Sequence, residues 1–418
     1  MGIVSLLTSI LLFVFSIPVV THYRILPIVG TPYWLFGVLF LSLFLHLVLS
    51  FASLWQPNKT LDRIRHFLFW VILGIVFGGT TVTAIVDRSN IAPVYGVHDI
   101  ILQQEAAMRY LLVGKNPYKE TYFGTPVESF HYDEVGKPAI NPALYHFVMP
   151  PWYLLFPFAF YFVSTPVFGY FDGRMALVVL AFALFFLLAR WFKHRSIGQL
   201  AIILMALSPA TVDYVIEGRS DLFALCWLVF ALYLLDKKRL LWSGIVYGLA
   251  LLSKQTIWFS LPFYLGFVWW KTKDRRIFGI NLVGILVTVG VIVAPFFLWD
   301  PKAYLDSTVF YLSGGTLGGY PIAGYGWGMI LWSLGIVKDF HSQHPFFLWQ
   351  LIFGLPVLVV LLRLLKKRLS LSFVWFGYAT FLFVIWYFSR YFNNSHMGYL
   401  SSLFVLAGCF LLDEQKSV

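Results

Sequence analysis

Apolar stretches close to 20 residues long, separated by short polar segments, recur along the whole chain. A helix of that length crosses a bilayer core of about 30 Å. The pattern predicts spans at about 3–20, 33–55, 67–86, 147–168, 175–192, 197–215, 221–236, 277–298, 346–365, 370–388 and 398–412. It further predicts one broken helix or two short ones at about 240–270, hinged near Ser253–Gln255, and a short re-entrant segment at about 327–337.

Composition supports this prediction, because 60% of the 418 residues are hydrophobic and only 12% are charged. A soluble domain has about 25% charged residues, so this chain cannot cover a water-facing surface of its size. We therefore predict an all-α, polytopic transmembrane helix bundle of about 12–13 spans. The predicted domains are two N-terminal spans (1–66), a transmembrane core that includes the loop 87–146 (67–300) and a C-terminal membrane region (301–418).

The net charge of +11 is concentrated in five short basic clusters at the ends of apolar stretches. This distribution is typical of orientation signals and does not indicate a nucleic-acid partner. The clusters lie at 59–65, 193–195, 237–239, 271–276 and 366–368. With these clusters in the cytoplasm, the loops 87–146, 299–326 and 389–397 are external and 240–270 is a hairpin. One conflict remains, because two predicted spans separate the external loop 87–146 from the cytoplasmic cluster at 193–195. Either a segment near 139–168 is kinked into two, or one cluster violates the charge rule.

The loop 87–146 contains a predicted amphipathic helix at 99–113, which Gly114 and Pro117 terminate. Asp99 stands at its start, near the membrane surface. Asp is a favoured N-cap residue, so Asp99 is either a helix cap or a carboxylate that performs chemistry. Glu105 and Arg109 are spaced i,i+4, and this spacing favours a simple ion pair between them.

The order of motifs after Asp99 resembles a known enzyme class. The helix leads into LLVGKNPY (111–118), and MPPW (149–152) opens the next span. SP (208–209), EGRSD (217–221) and GIVYGLALLSK (244–254) follow in that order. This series resembles the GT-C superfamily of polyprenyl-phosphate-sugar-dependent membrane glycosyltransferases, and the mannosyltransferase branch most of all. The resemblance covers residues 67–300 well and the remainder loosely.

The resemblance implies that Asp99 is the general base that takes the proton of an acceptor hydroxyl, since it matches the position of the catalytic aspartate in the family. Asp87, at the end of its span, is the alternative base, although a pair with Arg88 at the interface is the favoured explanation for it. A departing phosphate requires cations, and Lys254 and Arg390 face the predicted external side.

Further residues fit substrate binding. The side chains assigned to this role are Tyr118, Tyr391, Asn393, Asn394 and His396. Alternatively, Lys254 snorkels at the hairpin tip and Arg390 is an interfacial anchor. The His and acidic residues of loop 87–146 lack zinc-ligand spacing, so we predict no metal and no cofactor and leave divalent-metal dependence open.

We therefore predict a multi-pass membrane hexosyltransferase of the inverting type. It takes a sugar, with mannose favoured, from a polyprenyl-phosphate donor to a lipid, glycan or protein hydroxyl on the extracytoplasmic side of a cell membrane or the endoplasmic reticulum. A transporter or flippase for lipid-linked glycans is the first alternative, and a polymerase or ligase using a pyrophosphate-linked donor is the second. A transporter would carry charges along a path across the membrane, and few of the apolar stretches contain any.

Overall fold

The fold is a bundle of helices, and the computed structural model describes residues 2–24, 33–56, 58–134, 136–316 and 318–416. The α-helices are α1 (Gly2–Arg24), α2 (Tyr33–Trp55), α3 (Lys59–Leu73), α4 (Thr80–Ile91), α5 (Asp99–Leu112), α6 (Pro151–Leu155), α7 (Phe158–Phe168), α8 (Arg174–Trp191), α9 (Arg195–Ala206), α10 (Val212–Ile216), α11 (Ser220–Asp236), α12 (Leu240–Leu251), α13 (Leu261–Thr272), α14 (Arg275–Trp299), α15 (Pro301–Leu305), α16 (Tyr311–Ser313), α17 (Trp327–Ser333), α18 (Phe346–Lys367), α19 (Leu371–Tyr387) and α20 (Asn394–Gln415). Two-residue strands are β1 (Asp133–Glu134), β2 (Lys137–Pro138), β3 (Ala323–Gly324) and β4 (Tyr391–Phe392).

The architecture confirms the predicted all-α, polytopic class. Among the described residues, eight helices are long and apolar enough to cross a membrane, and α9, α12 and α19 are shorter apolar helices. Helices α3 and α4 form one continuous apolar helix, joined by the π-helical turn Gly74–Gly79. The span predicted at 33–55 coincides with α2, and that predicted at 346–365 with α18 to within two residues.

Glycines bring α12 and α14 close together in the core of the bundle. A Cβ on Gly244 would lie 2.1 Å from the carbonyl oxygen of Asn281, and one on Gly248 would lie 2.8 Å from Cβ of Thr288. On the opposite helix, a Cβ on Gly284 would lie 2.8 Å from the carbonyl oxygen of Leu241. Small residues spaced by four allow such backbone contact between membrane helices. The glycine-spaced sequence 244–254 therefore positions the helix that leads to Lys254.

The basic clusters lie at one end of the bundle. His194 between α8 and α9 contacts Asp413 near the end of α20, with 2.8 Å between Nδ1 and Oδ1. Trp191 at the end of α8 donates to Asp236 at the end of α11. Ser372 at the start of α19 donates to Glu414. Since successive helices run in opposite directions from these contacts, the loops 92–150, 300–345 and 388–393 share the other end.

The apolar segment of α6 and α7 is one of the eight helices that could cross a membrane by length and composition, and hydropathy predicts a span at 147–168, but both of its ends lie on the same side of the bundle. Trp152 donates its backbone N–H to Leu252 at the loop end, 3.0 Å away. Asp172, which follows α7, pairs at that same end with Arg88 at the end of α4. Only three residues lie between Phe168 and Asp172, so these four residue steps span at most about 14 Å. Because the segment begins and ends on one side, α8 is the only crossing between the loop 92–150 and the cluster at 193–195, a stretch that the structure describes almost in full. The conflict in the predicted topology therefore disappears, because the cluster at 193–195 lies at the same end of the bundle as the other basic clusters.

The segment predicted as a broken helix or two short helices is a hairpin. Helix α12 ends at Leu251, and a 3₁₀ turn at Gln255–Ser260 leads into α13, which returns antiparallel. Lys254 stands at the tip of this hairpin with an extended backbone. The tip lies at the loop end, because Gln255 donates to the carbonyls of Val148 and Thr308. This position agrees with the predicted external placement of Lys254 relative to the basic clusters.

Candidate active site

A large cavity of about 1410 Å³ opens between the loops and the helix ends that face them. Pockets for small ligands are typically about 300–1,000 Å³, so this cavity has room for a larger substrate or for two substrates. The two long loops meet above it, where Nε2 of His341 lies 3.1 Å from Oε2 of Glu134. Strands β3 and β4 pair in parallel and join the loop 300–345 to the loop 388–393. The cavity therefore lies beneath connected loops at the end opposite the basic clusters.

Asp99 lines this cavity at the first position of α5. Its carboxylate does not cap the helix, because the N-cap residue is His98. Oδ1 of Asp99 lies 2.6 Å from Nδ1 of His98, and Oδ2 accepts a hydrogen bond of 3.1 Å from Nδ2 of Asn141. Nδ1 of His98 also lies 3.3 Å from the backbone nitrogen of Ile100, and the shorter contact favours a proton on Nδ1 that points to Asp99. The cap alternative for Asp99 is therefore not what the structure shows.

The surroundings of Asp99 stabilise its ionised form. Burial raises the pKa of the carboxyl group, but three neighbours outweigh burial: His98, the hydrogen bond from Asn141 and the positive charge of Arg219 lower the pKa to about 2. The side chain retains 18% exposure towards the cavity. Asp99 is therefore an oriented acceptor, ionised near neutral pH, that a hydroxyl in the cavity can reach.

A buried ion network anchors α5, and it overturns two predicted pairs. Arg88 donates to both carboxylate oxygens of Glu105, each at 2.8 Å, and to Asp172 at 2.7 Å. Glu105 therefore pairs with Arg88 and not with Arg109, whose side of the helix is exposed. Arg88 is likewise not the partner of Asp87, which is half-buried and does not line the cavity. Tertiary contacts between α4, α5 and the start of α8 outweigh the i,i+4 spacing along one helix.

Two cations line the cavity close to two carboxylates. Nζ of Lys254 lies 2.7 Å from Oδ1 of Asp221 at the start of α11, and both side chains are partly exposed. Nε of Arg219 lies 3.6 Å from Oε2 of Glu217. Arg219 comes from the EGRSD motif (217–221), and its sequence context suggested no role in phosphate binding. Its position beside Asp99 makes it a second candidate for contact with a phosphate.

The guanidinium group of Arg390 holds backbone and does not face the open cavity. It donates to four carbonyl oxygens, those of Tyr320, Ser313, Phe340 and Ser342. The residue is 3% exposed, although part of it lines the cavity wall. These bonds fold the loop 300–345 around the guanidinium. We therefore assign Arg390 to shaping this loop, and not to the donor phosphate that the sequence suggests for it.

Tyr118 lies outside the cavity, contrary to its expected role in substrate binding. It is 2% exposed, and its hydroxyl donates to the carbonyl of Met149 at 3.0 Å. Its ring packs edge-on against Tyr304 and Phe296. Tyr118 therefore fixes the loop 92–150 to the end of α14 and its extension.

The C-terminal loop places three of its four predicted substrate-binding residues in the cavity wall. Tyr391, Asn393 and His396 line the cavity, whereas Asn394 is exposed and does not. Asn393 caps α20, because its Oδ1 accepts from the backbone of Ser395 at 3.1 Å. Oδ1 of Asn393 also lies 2.7 Å from Nδ1 of His396, and its amide nitrogen donates to the hydroxyl of Tyr391. These residues form a connected polar wall of amide, imidazole and phenol groups.

Two cavity residues, Tyr132 and Tyr311, had no signal in the sequence. Tyr132 and Tyr311 lie near enough to Asp99 that its charge contributes to raising the pKa of both hydroxyls, after burial. Tyr320 packs against Tyr391 with ring centroids 4.4 Å apart. Tyrosines are common throughout this chain, and only folding brings these together around one carboxylate. The cavity wall around Asp99 is therefore largely aromatic.

One side of the cavity is apolar and open at the surface of the bundle. Trp258, Val309, Leu312 and Phe347 line the cavity and are each 38–59% exposed. Such apolar exposure beside a charged interior suits a ligand with a hydrocarbon part and an anionic head. In the described ranges, no group of three or more His, Cys, Asp or Glu residues could hold a metal ion.

Comparison with known proteins identifies one matching family. The family model of dolichyl-phosphate-mannose-protein mannosyltransferases matches residues 149–299. The matched region runs from the start of α6 to the end of α14 and includes Arg219, Asp221 and Lys254, while Asp99 and Arg390 lie outside it. Searches of the curated proteins and of the solved structures found no match. Over residues 149–299, less than half of the chain, the protein is therefore similar to membrane mannosyltransferases, and its apolar helices agree with a multi-pass membrane protein.

Proposed function

We propose that this protein transfers a sugar, with mannose favoured, from a polyprenyl-phosphate carrier to an acceptor hydroxyl. The observation that carries the proposal is the pairing, in one cavity, of an ionised carboxylate at Asp99 with cations at Arg219 and Lys254. The family match at 149–299 supports a sugar donor linked to a lipid phosphate. The apolar opening gives the hydrocarbon chain of such a donor a place beside the membrane.

In the proposed reaction, the carboxylate of Asp99 accepts the proton of the acceptor hydroxyl as its oxygen attacks the anomeric carbon. The bond from that carbon to the phosphate oxygen breaks, and the polyprenyl phosphate leaves with the electron pair. A single displacement of this kind inverts the anomeric configuration. A phosphate leaving group needs no proton from the enzyme, so one carboxylate is sufficient.

The developing charge on the departing phosphate requires cations, and Lys254 and Arg219 are available from one wall. In the ligand-free structure Lys254 contacts Asp221 at 2.7 Å. A donor phosphate would therefore share Lys254 with Asp221. Arg219 offers the planar guanidinium that can bind two phosphate oxygens at once.

The polar wall of Tyr391, Asn393 and His396 lies where it can hydrogen-bond sugar hydroxyls. The five basic clusters lie at the opposite end of the bundle, and such clusters favour the cytoplasm. We therefore propose that the cavity opens on the extracytoplasmic side. The donor lipid would come from the leaflet beside Trp258 and Phe347.

The test uses purified protein in lipid nanodiscs with a radiolabelled polyprenyl-phosphate mannose and a crude lipid or glycan acceptor extract. The proposal expects a labelled product that depends on the protein and on the donor. Transfer only from a pyrophosphate-linked donor would favour a polymerase or ligase. Movement of the labelled lipid between leaflets without any new glycosidic bond would favour a flippase.

A further inference from the structure

Arg174, the first residue of α8, is a fully buried cation that does not line the cavity. Its guanidinium is held by Asp172, with Nε 3.0 Å from Oδ1 and Nη2 2.8 Å from Oδ2. This bidentate pair fixes the plane and direction of the fork. The remaining nitrogen, Nη1, points to two carbonyl groups on different chain segments.

Each of these two carbonyls belongs to a residue three positions before a charged residue of the cavity, Asp99 or Arg219. Nη1 of Arg174 donates to the carbonyl of Gly96 at 2.9 Å and to that of Ile216 at 3.0 Å. Gly96 lies three residues before Asp99, and Ile216 lies three residues before Arg219. Nη1 of Arg174 therefore links, through hydrogen bonds, the segment that carries the Asp99 carboxylate to the segment that carries the Arg219 guanidinium.

A backbone hydrogen bond runs between the same two segments, from the N–H of His98 to the carbonyl of Glu217 at 2.8 Å. Close packing completes the junction at Gly218, where φ is +90°. A Cβ at this position would lie 2.7 Å from Cγ of Arg174 and 2.6 Å from Cγ1 of Ile101 on α5. The junction therefore has no space for a side chain and little freedom to shift.

We propose that Arg174 is a positioning residue that sets the spacing between the carboxylate of Asp99 and the guanidinium of Arg219. The inference rests on the proposed function, since these groups would hold the acceptor hydroxyl and the donor phosphate. Their separation decides whether the attacking oxygen, the anomeric carbon and the leaving phosphate fall in line. A displacement of about 1 Å at such a site costs about 10²-fold in rate.

Lysine is the informative substitution at this position. Arg174→Lys keeps a positive charge beside Asp172 but removes the planar fork that reaches Gly96 and Ile216. We expect kcat to fall about 10²-fold while the donor KM changes far less, because both cavity cations remain. Arg190→Lys on the same helix is the matched control, since Arg190 is exposed at the far end of α8, and it should behave as the parent.

A double-mutant cycle separates positioning from general stabilisation. In an Asp99→Asn background the misplaced carboxylate no longer exists, so Arg174→Lys should cost little additional activity. Equal losses in both backgrounds, or normal kcat for Arg174→Lys alone, would overturn the proposal. Full activity of Asp99→Asn by itself would instead overturn the proposed function. If Arg174→Lys yields no folded protein, the same cycle is run with Asp172→Asn, which weakens the anchor of Arg174 and leaves its charge in place.

Discussion

Replacement of Asp99 by Asn separates chemistry from folding at this site. Asn retains one acceptor oxygen, so it keeps one of the two hydrogen bonds that Asp99 receives from His98 and Asn141. The lost hydrogen bond should lower the free energy of unfolding by about 1 kcal/mol. Removal of a general base should lower kcat by about 10²–10⁴, which is about 3–5 kcal/mol of activation free energy. The activity loss should therefore greatly exceed the loss of stability.

The assay is single-turnover transfer in nanodiscs with saturating donor, together with thermal unfolding of the same preparations. Asp87→Asn is the matched control, because Asp87 is half-buried, lies near the end of the neighbouring helix α4 and does not line the cavity. The control should keep parental turnover. Asp99→Asn with near-normal turnover and unchanged donor KM would refute the assignment of Asp99 as the base.

Three further predictions address the cations, the pH dependence and the orientation. Lys254→Ala and Arg219→Ala should each raise the donor KM about tenfold or more, as expected for a lost charge-assisted bond worth about 1.5–3 kcal/mol; an unchanged KM in both variants would contradict this role. The pKa of Asp99 is lowered to about 2, so its carboxylate stays ionised as pH falls from about 7 to about 4, and protonation of Asp99 should not lower the transfer rate in this range. A fall in the transfer rate that begins above about pH 5, and that shifts to another pH in Asp99→Glu, would contradict this prediction. A cysteine at exposed Asp133 should react with an impermeant thiol reagent outside intact cells and one at exposed Lys238 should not, and the parent protein, whose two cysteines are buried, provides the background. The reverse labelling pattern would move the cavity to the cytoplasm.

The helices themselves could be predicted from hydropathy, because a membrane span needs a certain length and little charge. The bounds of α2 and α18 follow from that rule alone. The same rule failed at 147–168, because hydropathy reports whether a segment prefers lipid and not where its two ends lie. The contacts of Trp152 and Asp172 at one end of the bundle decide that question.

The candidate site could be predicted only in part. Motif order drew attention to Asp99 and Lys254, and both line the cavity. It also suggested Tyr118 and Arg390, whose side chains are instead engaged in packing and in backbone carbonyls. Sequence cannot distinguish a polar side chain that faces a substrate from one that hydrogen-bonds to the backbone of a loop. The carbonyls of an irregular loop acquire their directions only on folding. Arg219 carried no such signal, because an arginine between Glu217 and Asp221 is most simply explained by ion pairs with them, and only folding brings it beside Asp99.

The most direct test of the account is a structure of the protein with a stable polyprenyl-phosphate-sugar analogue bound in nanodiscs. We predict that the phosphate contacts Lys254 and Arg219 and that the lipid chain leaves the cavity past Trp258. We also predict that the anomeric carbon lies on the side that faces Asp99. An acceptor hydroxyl in line with the leaving phosphate would then lie within about 3 Å of the carboxylate of Asp99. A donor bound with its anomeric carbon away from Asp99, or at the end that carries the basic clusters, would contradict the central claim.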